Sequence, residues 1–97
     1  MNSTYESVTV HEKYVQANGL RMFYRECGMG APLILLHSGT ASSMEWGSLI
    51  PFFGRYFHVL APDCRGHGKT DNPDGRLSYR RMAEDTLAFS RAVDLER

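Results

Sequence analysis

Cysteine is scarce in this chain, charge of one sign is not in excess, and no apolar stretch approaches the length of a membrane span. Cys27 and Cys64 are the two cysteines, far apart and outside any Cys-x-x-Cys pair. Neither a zinc site nor a disulfide scaffold is therefore expected, and both read as free thiols in a reducing compartment. Eleven basic residues cancel eleven acidic ones, and Arg80-Arg81 is the only adjacent basic pair. No net field draws such a chain to nucleic acid or an anionic membrane surface. The longest apolar run, residues 31–36, falls far short of the ~20 residues that a membrane helix needs. Met1-Asn2-Ser3-Thr4-Tyr5-Glu6 lacks a basic segment followed by an apolar one, so it does not read as a signal peptide. The expectation is a soluble cytoplasmic protein that acts on a small molecule, with no nucleic-acid or membrane partner, no cofactor and no metal.

What is present is the material of a packed domain. Of the 97 residues 42% are hydrophobic and 11% aromatic, which argues against disorder. Residues 8–15 read as a strand, and Asn18-Gly19 is a strong hairpin turn signal. Residues 20–26 alternate, with Leu20, Met22 and Tyr24 on one face and Arg21, Phe23 and Arg25 on the other. Together they predict an antiparallel hairpin over 8–27. Leu33-Ile34-Leu35-Leu36 is continuously apolar, as a strand covered on both faces should be. Ser42 or Ser43 is placed to cap a helix over 46–53, with Trp46, Leu49, Ile50 and Phe53 at helical spacing and Gly54 as its stop. Residues 57–61 form the next buried strand. A β-α-β unit with parallel strands follows from that order. A last helix is expected over 78–95, its inner stripe made of Tyr79, Met82, Ala83, Thr86, Leu87, Ser90 and Val93. Arg80, Arg81, Glu84, Asp85 and Arg91 would then face water.

Both buried strands open into polar, glycine-containing loops. The first ends in His37-Ser38-Gly39-Thr40, the second in Pro62-Asp63-Cys64-Arg65-Gly66-His67-Gly68-Lys69-Thr70. Open α/β sheets bind ligands at such carboxyl edges. Gly68-Lys69-Thr70 is similar to the end of the phosphate-binding pattern G-x-x-x-x-G-K-[ST]. Two features set that reading aside. Asp63 stands where the first glycine belongs, putting a carboxylate near the phosphates. The loop Asp71-Asn72-Pro73-Asp74-Gly75 follows where the motif needs a helix N-terminus.

Taken together, residues 33–40, the later Ser43 and Trp46, and residues 62–70 resemble the α/β-hydrolase superfamily. In that family one strand ends in H-G-x and the next in D-x-R-G-x-G-x-S. The resemblance implies a partial α/β-hydrolase sheet: the hairpin, then a β-α-β core and following helix over 33–95, all within one domain. It implies that Gly39 supplies a backbone N–H to an oxyanion hole, with Thr40 as the fallback donor. A residue without Cβ also lets a substrate oxygen approach closely. Ser38 departs from the pattern, where glycine is usual.

His37 is read as pinning the loop through its ring. In this family the triad runs nucleophile, acid, histidine, so none of His11, His37, His58 and His67 should be the general base; His67 reads as a turn residue and His58 as a strand-edge one. Asp63 and Arg65 are expected to hold the turn by a local ion pair or by side-chain-to-backbone bonds. Gly66 and Gly68 are there for backbone angles that other residues resist. Trp46 reads as core.

No G-x-S-x-G nucleophile elbow occurs in the 97 residues. The expectation is therefore the N-terminal part of a hydrolase of ester, lactone or related bonds, inactive alone, whose serine or aspartate nucleophile, acid and histidine lie elsewhere. An unpaired strand edge would leave it prone to self-association. The other reading, from a different class, is a non-catalytic member that binds a ligand or partner through the same fold.

Overall fold

The computed structural model describes residues 9–39, 41–75 and 77–93. Strand β1 (His11–Ala17) and strand β2 (Leu20–Cys27) form an antiparallel hairpin with His11 opposite Glu26 and Ala17 opposite Leu20. Asn18 and Gly19 turn it with φ of 53° and 76°. These positive values are what a two-residue primed turn requires and what Asn-Gly supplies. Strand β3 (Pro32–Ile34) and strand β4 (His58–Pro62) complete a mixed sheet in the order β1-β2-β4-β3. β4 runs antiparallel to β2 and parallel to β3.

β4 is central, and its side chains serve two layers. Leu60 joins Leu20, Met22, Tyr24 and Phe89 on one face. Val59 and Ala61 join Cys27, Leu35 and Ile50 on the other, with Trp46 and Phe53 packed against them. Helix α2 (Tyr79–Ala92) covers the first face through Phe89, while a 3₁₀ turn (Ser43–Trp46) and the short helix α1 (Leu49–Gly54) cover the second. None of the helices among the described residues is long and apolar enough to cross a membrane.

Several expected boundaries shift, each for a local reason. The single helix expected over 46–53 is split in two because Gly47 takes φ 48°, ψ −126°. Ser42, not Ser43, caps the first piece, its Oγ accepting the Met44 N–H at 3.2 Å. Strand β3 is shorter than residues 33–36, although the Leu35 N–H still donates to Leu60 at 2.9 Å. It has one neighbour among the described strands, so Leu36 is left 47% exposed. Phe23 shares its face of β2 with Arg21 and Arg25 yet is buried, because Tyr14 packs edge-on against it and Arg25 and Lys69 lie over its ring.

The largest correction concerns α2, whose inward stripe is Met82, Asp85, Phe89 and Val93. Tyr79 is 92% exposed and Leu87 51%, whereas Asp85 is buried at 1%. The helix is rotated toward a charged residue because that residue has partners inside.

At the far end of the hairpin, Glu26 accepts from Lys13 at 2.6 Å and pairs with His58 at 2.5 Å. Burial pushes its carboxyl up, but the bonds to Lys13 and His58 outweigh burial and hold it below its ordinary range. A carboxylate depressed by folding adds stability above its unfolded pKa and loses it as pH falls through the folded value. Urea midpoints of the chain and of Glu26→Gln are therefore expected to differ near about pH 7 and to converge below about pH 4.

Candidate functional site

The loops after β3 and β4 lie together at the carboxyl edge of the parallel pair, and hydrogen bonds specify almost every polar group between them. His37 is buried. Its Nε2 accepts the Cys64 N–H at 2.9 Å, so the ring proton sits on Nδ1, which donates to the Ser38 carbonyl at 2.6 Å. Both nitrogens are used, and the ring braces the two loops. Ser38 presents its N–H at 3.1 Å and its hydroxyl at 2.8 Å to the same oxygen of Glu45 on the 3₁₀ turn. These two bonds hold the Glu45 carboxyl below its ordinary range. The serine that stands where glycine is usual thus has its side chain engaged, at a backbone φ that is not positive.

Gly39 differs from its neighbours. Its carbonyl lies 2.7 Å from His67 Nε2. Its N–H meets no acceptor among the described residues, and a Cβ built on it would find no atom within 4 Å. The residue borders a cleft of about 300 Å³ lined by Gly39, His67, Leu77, Ser78, Tyr79 and Met82. A second cavity of about 300 Å³, which includes Val10, Arg25, Ser43 and Ile50 in its lining, contains none of the loop residues. Thr40, the fallback donor, lies outside the described residues.

The β4 loop is a rigid buttress for this arrangement. Asp63 is buried and accepts the Ser43 N–H at 2.7 Å through Oδ1 and the Lys69 N–H at 2.9 Å through Oδ2. Gly68 takes φ 53° beside it, and a Cβ there would come within 2.6 Å of Asp63 Cγ. Gly66, at φ 78°, is the other left-handed residue of the turn. Thr70 closes the loop by accepting the Phe23 N–H on its hydroxyl at 2.9 Å.

The expected local ion pair between Asp63 and Arg65 does not form. Asp63 makes side-chain-to-backbone bonds, whereas Arg65 reaches α2. Arg65 Nε donates to Asp85 Oδ2 at 2.9 Å and Nη2 to Oδ1 at 3.0 Å, with both side chains nearly sealed from solvent. Asn18 of the hairpin turn donates to the same carboxylate at 2.7 Å. The bonds it donates to Asp85 raise the Arg65 guanidinium above its ordinary value. One buried carboxylate therefore joins the hairpin, the β4 loop and α2.

Sequence reasoning missed Asp85, Asn18, Glu45 and the part played by Thr70. The signal for Asp85 was its place at helical spacing between Met82 and Phe89, obscured by its charge.

Other chemistry is not assembled here. Burial pushes the Cys64 thiol up, and the charges of Asp63 and Asp85 add to this; burial alone does the same for Cys27. A thiol held protonated is a poor nucleophile. No three His, Cys, Asp or Glu side chains among the described residues gather as metal ligands.

The family model described as "Alpha/beta hydrolase family" matches residues 33–97, which include both loops and α2. The chain belongs to the alpha/beta hydrolase family. This alpha/beta hydrolase chain is 41% identical over 78 residues to a soluble epoxide hydrolase of Corynebacterium sp. (strain C12), covering 80% of the chain and 27% of that protein. It is 35% identical over 88 residues to the 2-hydroxy-6-oxo-6-(2'-aminophenyl)hexa-2,4-dienoic acid hydrolase of Metapseudomonas resinovorans, covering 88% of the chain and 30% of that protein. Among solved structures, the haloalkane dehalogenase DatA from Agrobacterium tumefaciens C58 superimposes with a TM-score of 0.83 at 27% identity, over 99% of the chain and 33% of DatA. The chain thus spans under a third of the length of these curated relatives.

Proposed function

We propose that this chain is the N-terminal part, within one domain, of an α/β-fold hydrolase that cleaves ester, lactone or related bonds of a small molecule, with the Gly39 N–H as an oxyanion donor. The observation that carries this reading is the Gly39 amide itself. The Ser38 N–H is consumed by Glu45, and the Ser38 and Gly39 carbonyls are held by histidines. Among the described residues the Gly39 N–H is left open, beside a cleft. Negative charge gathers on a substrate oxygen as a nucleophile adds, and a donor already in place stabilises it with no reorganisation.

In this reading His37 and Ser38 position the loop, Thr40 is the fallback donor, and Asp63, Arg65, Gly66, His67 and Gly68 shape the turn behind it. The nucleophile, acid and catalytic histidine come from residues outside these 97. The relatives named for an epoxide and for a dienoic acid support small-molecule substrates. The enzyme acts in the cytoplasm without a cofactor. A further strand of the domain pairs with β3, and in the 97-residue chain alone that edge is where copies associate.

Two constructions test the proposal. The 97-residue chain alone is expected to give no nitrophenyl-ester turnover above background. The same chain, joined to the remainder of the Corynebacterium epoxide hydrolase in place of its matched segment, is expected to hydrolyse an epoxide. Turnover by the chain alone, abolished by a serine-directed phosphonate, would overturn this account. So would a folded chimaera that binds the epoxide without turning it over, which is the behaviour of a non-catalytic binding member.

A further inference from the structure

Gly39 is the residue with the most backbone freedom in its loop, and a donor amide is useful only if its direction is fixed. The structure restrains the peptide groups on both sides of its Cα. His37 Nδ1 holds the Ser38 carbonyl at 2.6 Å, and His67 Nε2 lies 2.7 Å from the Gly39 carbonyl. A trans peptide sets its N–H opposite to its C=O, so fixing the Ser38 carbonyl aims the Gly39 N–H. Fixing the Gly39 carbonyl stops that unit from swinging about the next bond.

The two histidines differ in one respect. His37 has one donor partner and one acceptor partner, the pattern of a neutral ring. His67 Nδ1 lies 2.9 Å from the Arg65 carbonyl while its Nε2 faces the Gly39 carbonyl. Carbonyl oxygens only accept, and a neutral imidazole carries one N–H. Both bonds therefore form together only in the doubly protonated ring. In the neutral ring one contact sets two lone pairs against each other. The Arg65 contact lies within the same turn, two residues away, so the Gly39 contact between loops is the one that opens.

We propose that His67 is a positioning residue for the Gly39 donor, and that protonation of its ring closes the clamp on the loop; this rests on the reading of Gly39 as the donor. The ring is half-buried, so protons reach it. The ionisable groups around it come from every neighbouring element. His37, whose ring centroid is 5.0 Å away, is the nearest in the β3 loop. Glu45 on the 3₁₀ turn is tied to Ser38. Tyr79 of α2 lines the same cleft, and Asp63, Cys64, Arg65 and Lys69 belong to its own loop. The His37 ring already accepts the Cys64 N–H on Nε2, whereas both His67 nitrogens face carbonyl oxygens.

The direct test is an NMR titration of the isotope-labelled chain between about pH 8 and 5, the range in which histidine changes charge. Expected are both His67 ring nitrogens protonated at the acid end, a Gly39 amide shift that tracks the His67 ring, and loss of most of that shift in His67→Gln. A Gly39 shift that follows His37, or that persists in His67→Gln, would overturn the clamp. Spectral dispersion checks that the variant folds. If it does not, the unsubstituted chain still decides, because a Gly39 shift that fails to track the His67 ring sinks the idea. In the epoxide-hydrolase chimaera, His67→Gln is expected to flatten the acid-side dependence of kcat while leaving KM within about twofold. An unchanged pH profile counts against the positioning role. The NMR arm needs no turnover, so a clamp seen there alongside kcat insensitive to removal of the Gly39 N–H would sink the hydrolase reading and leave the clamp standing.

Discussion

Asp85→Ala is expected to cost about 3–5 kcal/mol, the range for removing one partner of a buried ion pair. It leaves the Arg65 guanidinium sealed at 3% exposure without the carboxylate that accepts two of its N–H groups. Asn18 loses its bond at the hairpin turn in the same step. A domain of this size has total stability on the order of 5–15 kcal/mol, so the variant should be largely unfolded or very easily denatured. Urea denaturation followed by far-UV circular dichroism reads the effect. The double variant Arg65→Met/Asp85→Leu should recover much of the loss, because it removes the orphaned charge as well as the bond. A loss below about 1 kcal/mol for Asp85→Ala would mean that the pair is solvated in solution.

The second large effect belongs to catalysis. Removing one oxyanion-hole donor lowers kcat by about 10²–10³. Gly39→Pro removes an N–H that no described residue uses. Gly39→Ala keeps the N–H, and its Cβ meets no atom within 4 Å at a φ that is not positive. Its stability should stay within about 0.5 kcal/mol of the parent. Proline also fixes φ and restrains the preceding Ser38, so Gly39→Pro is read only where melts show it folded.

Much of this arrangement was legible in the residues. Asn18-Gly19 dictates the hairpin because its backbone angles suit few other pairs. The apolar runs at residues 33–36 and 59–61 mark the inner strands, and β4 carries Val59, Leu60 and Ala61 with no exposed surface. The two loops were recognisable because their glycines and polar residues sit at fixed offsets from strand ends.

What stayed hidden is long-range pairing of charge. Periodicity counts apolar residues, so Asp85 was assigned to water and the face of α2 was misjudged. Nothing near Asp85 in the chain announces Arg65, twenty positions away, or Asn18, sixty-seven away. Ser38 looked like a departure from the pattern until Glu45, seven residues on, was seen to accept both its N–H and its hydroxyl. The roles of His37 and His67 follow from which atoms face each nitrogen, and residue identity alone does not report that.

The most direct test of the central claim is kcat of the epoxide-hydrolase chimaera carrying glycine, alanine or proline at position 39, with thermal melts confirming that all three are folded. The account predicts kcat for Gly39→Ala within about tenfold of the parent and for Gly39→Pro about 10²–10³ below it, with KM little changed. A folded Gly39→Pro chimaera with kcat within about twofold of the parent would contradict it.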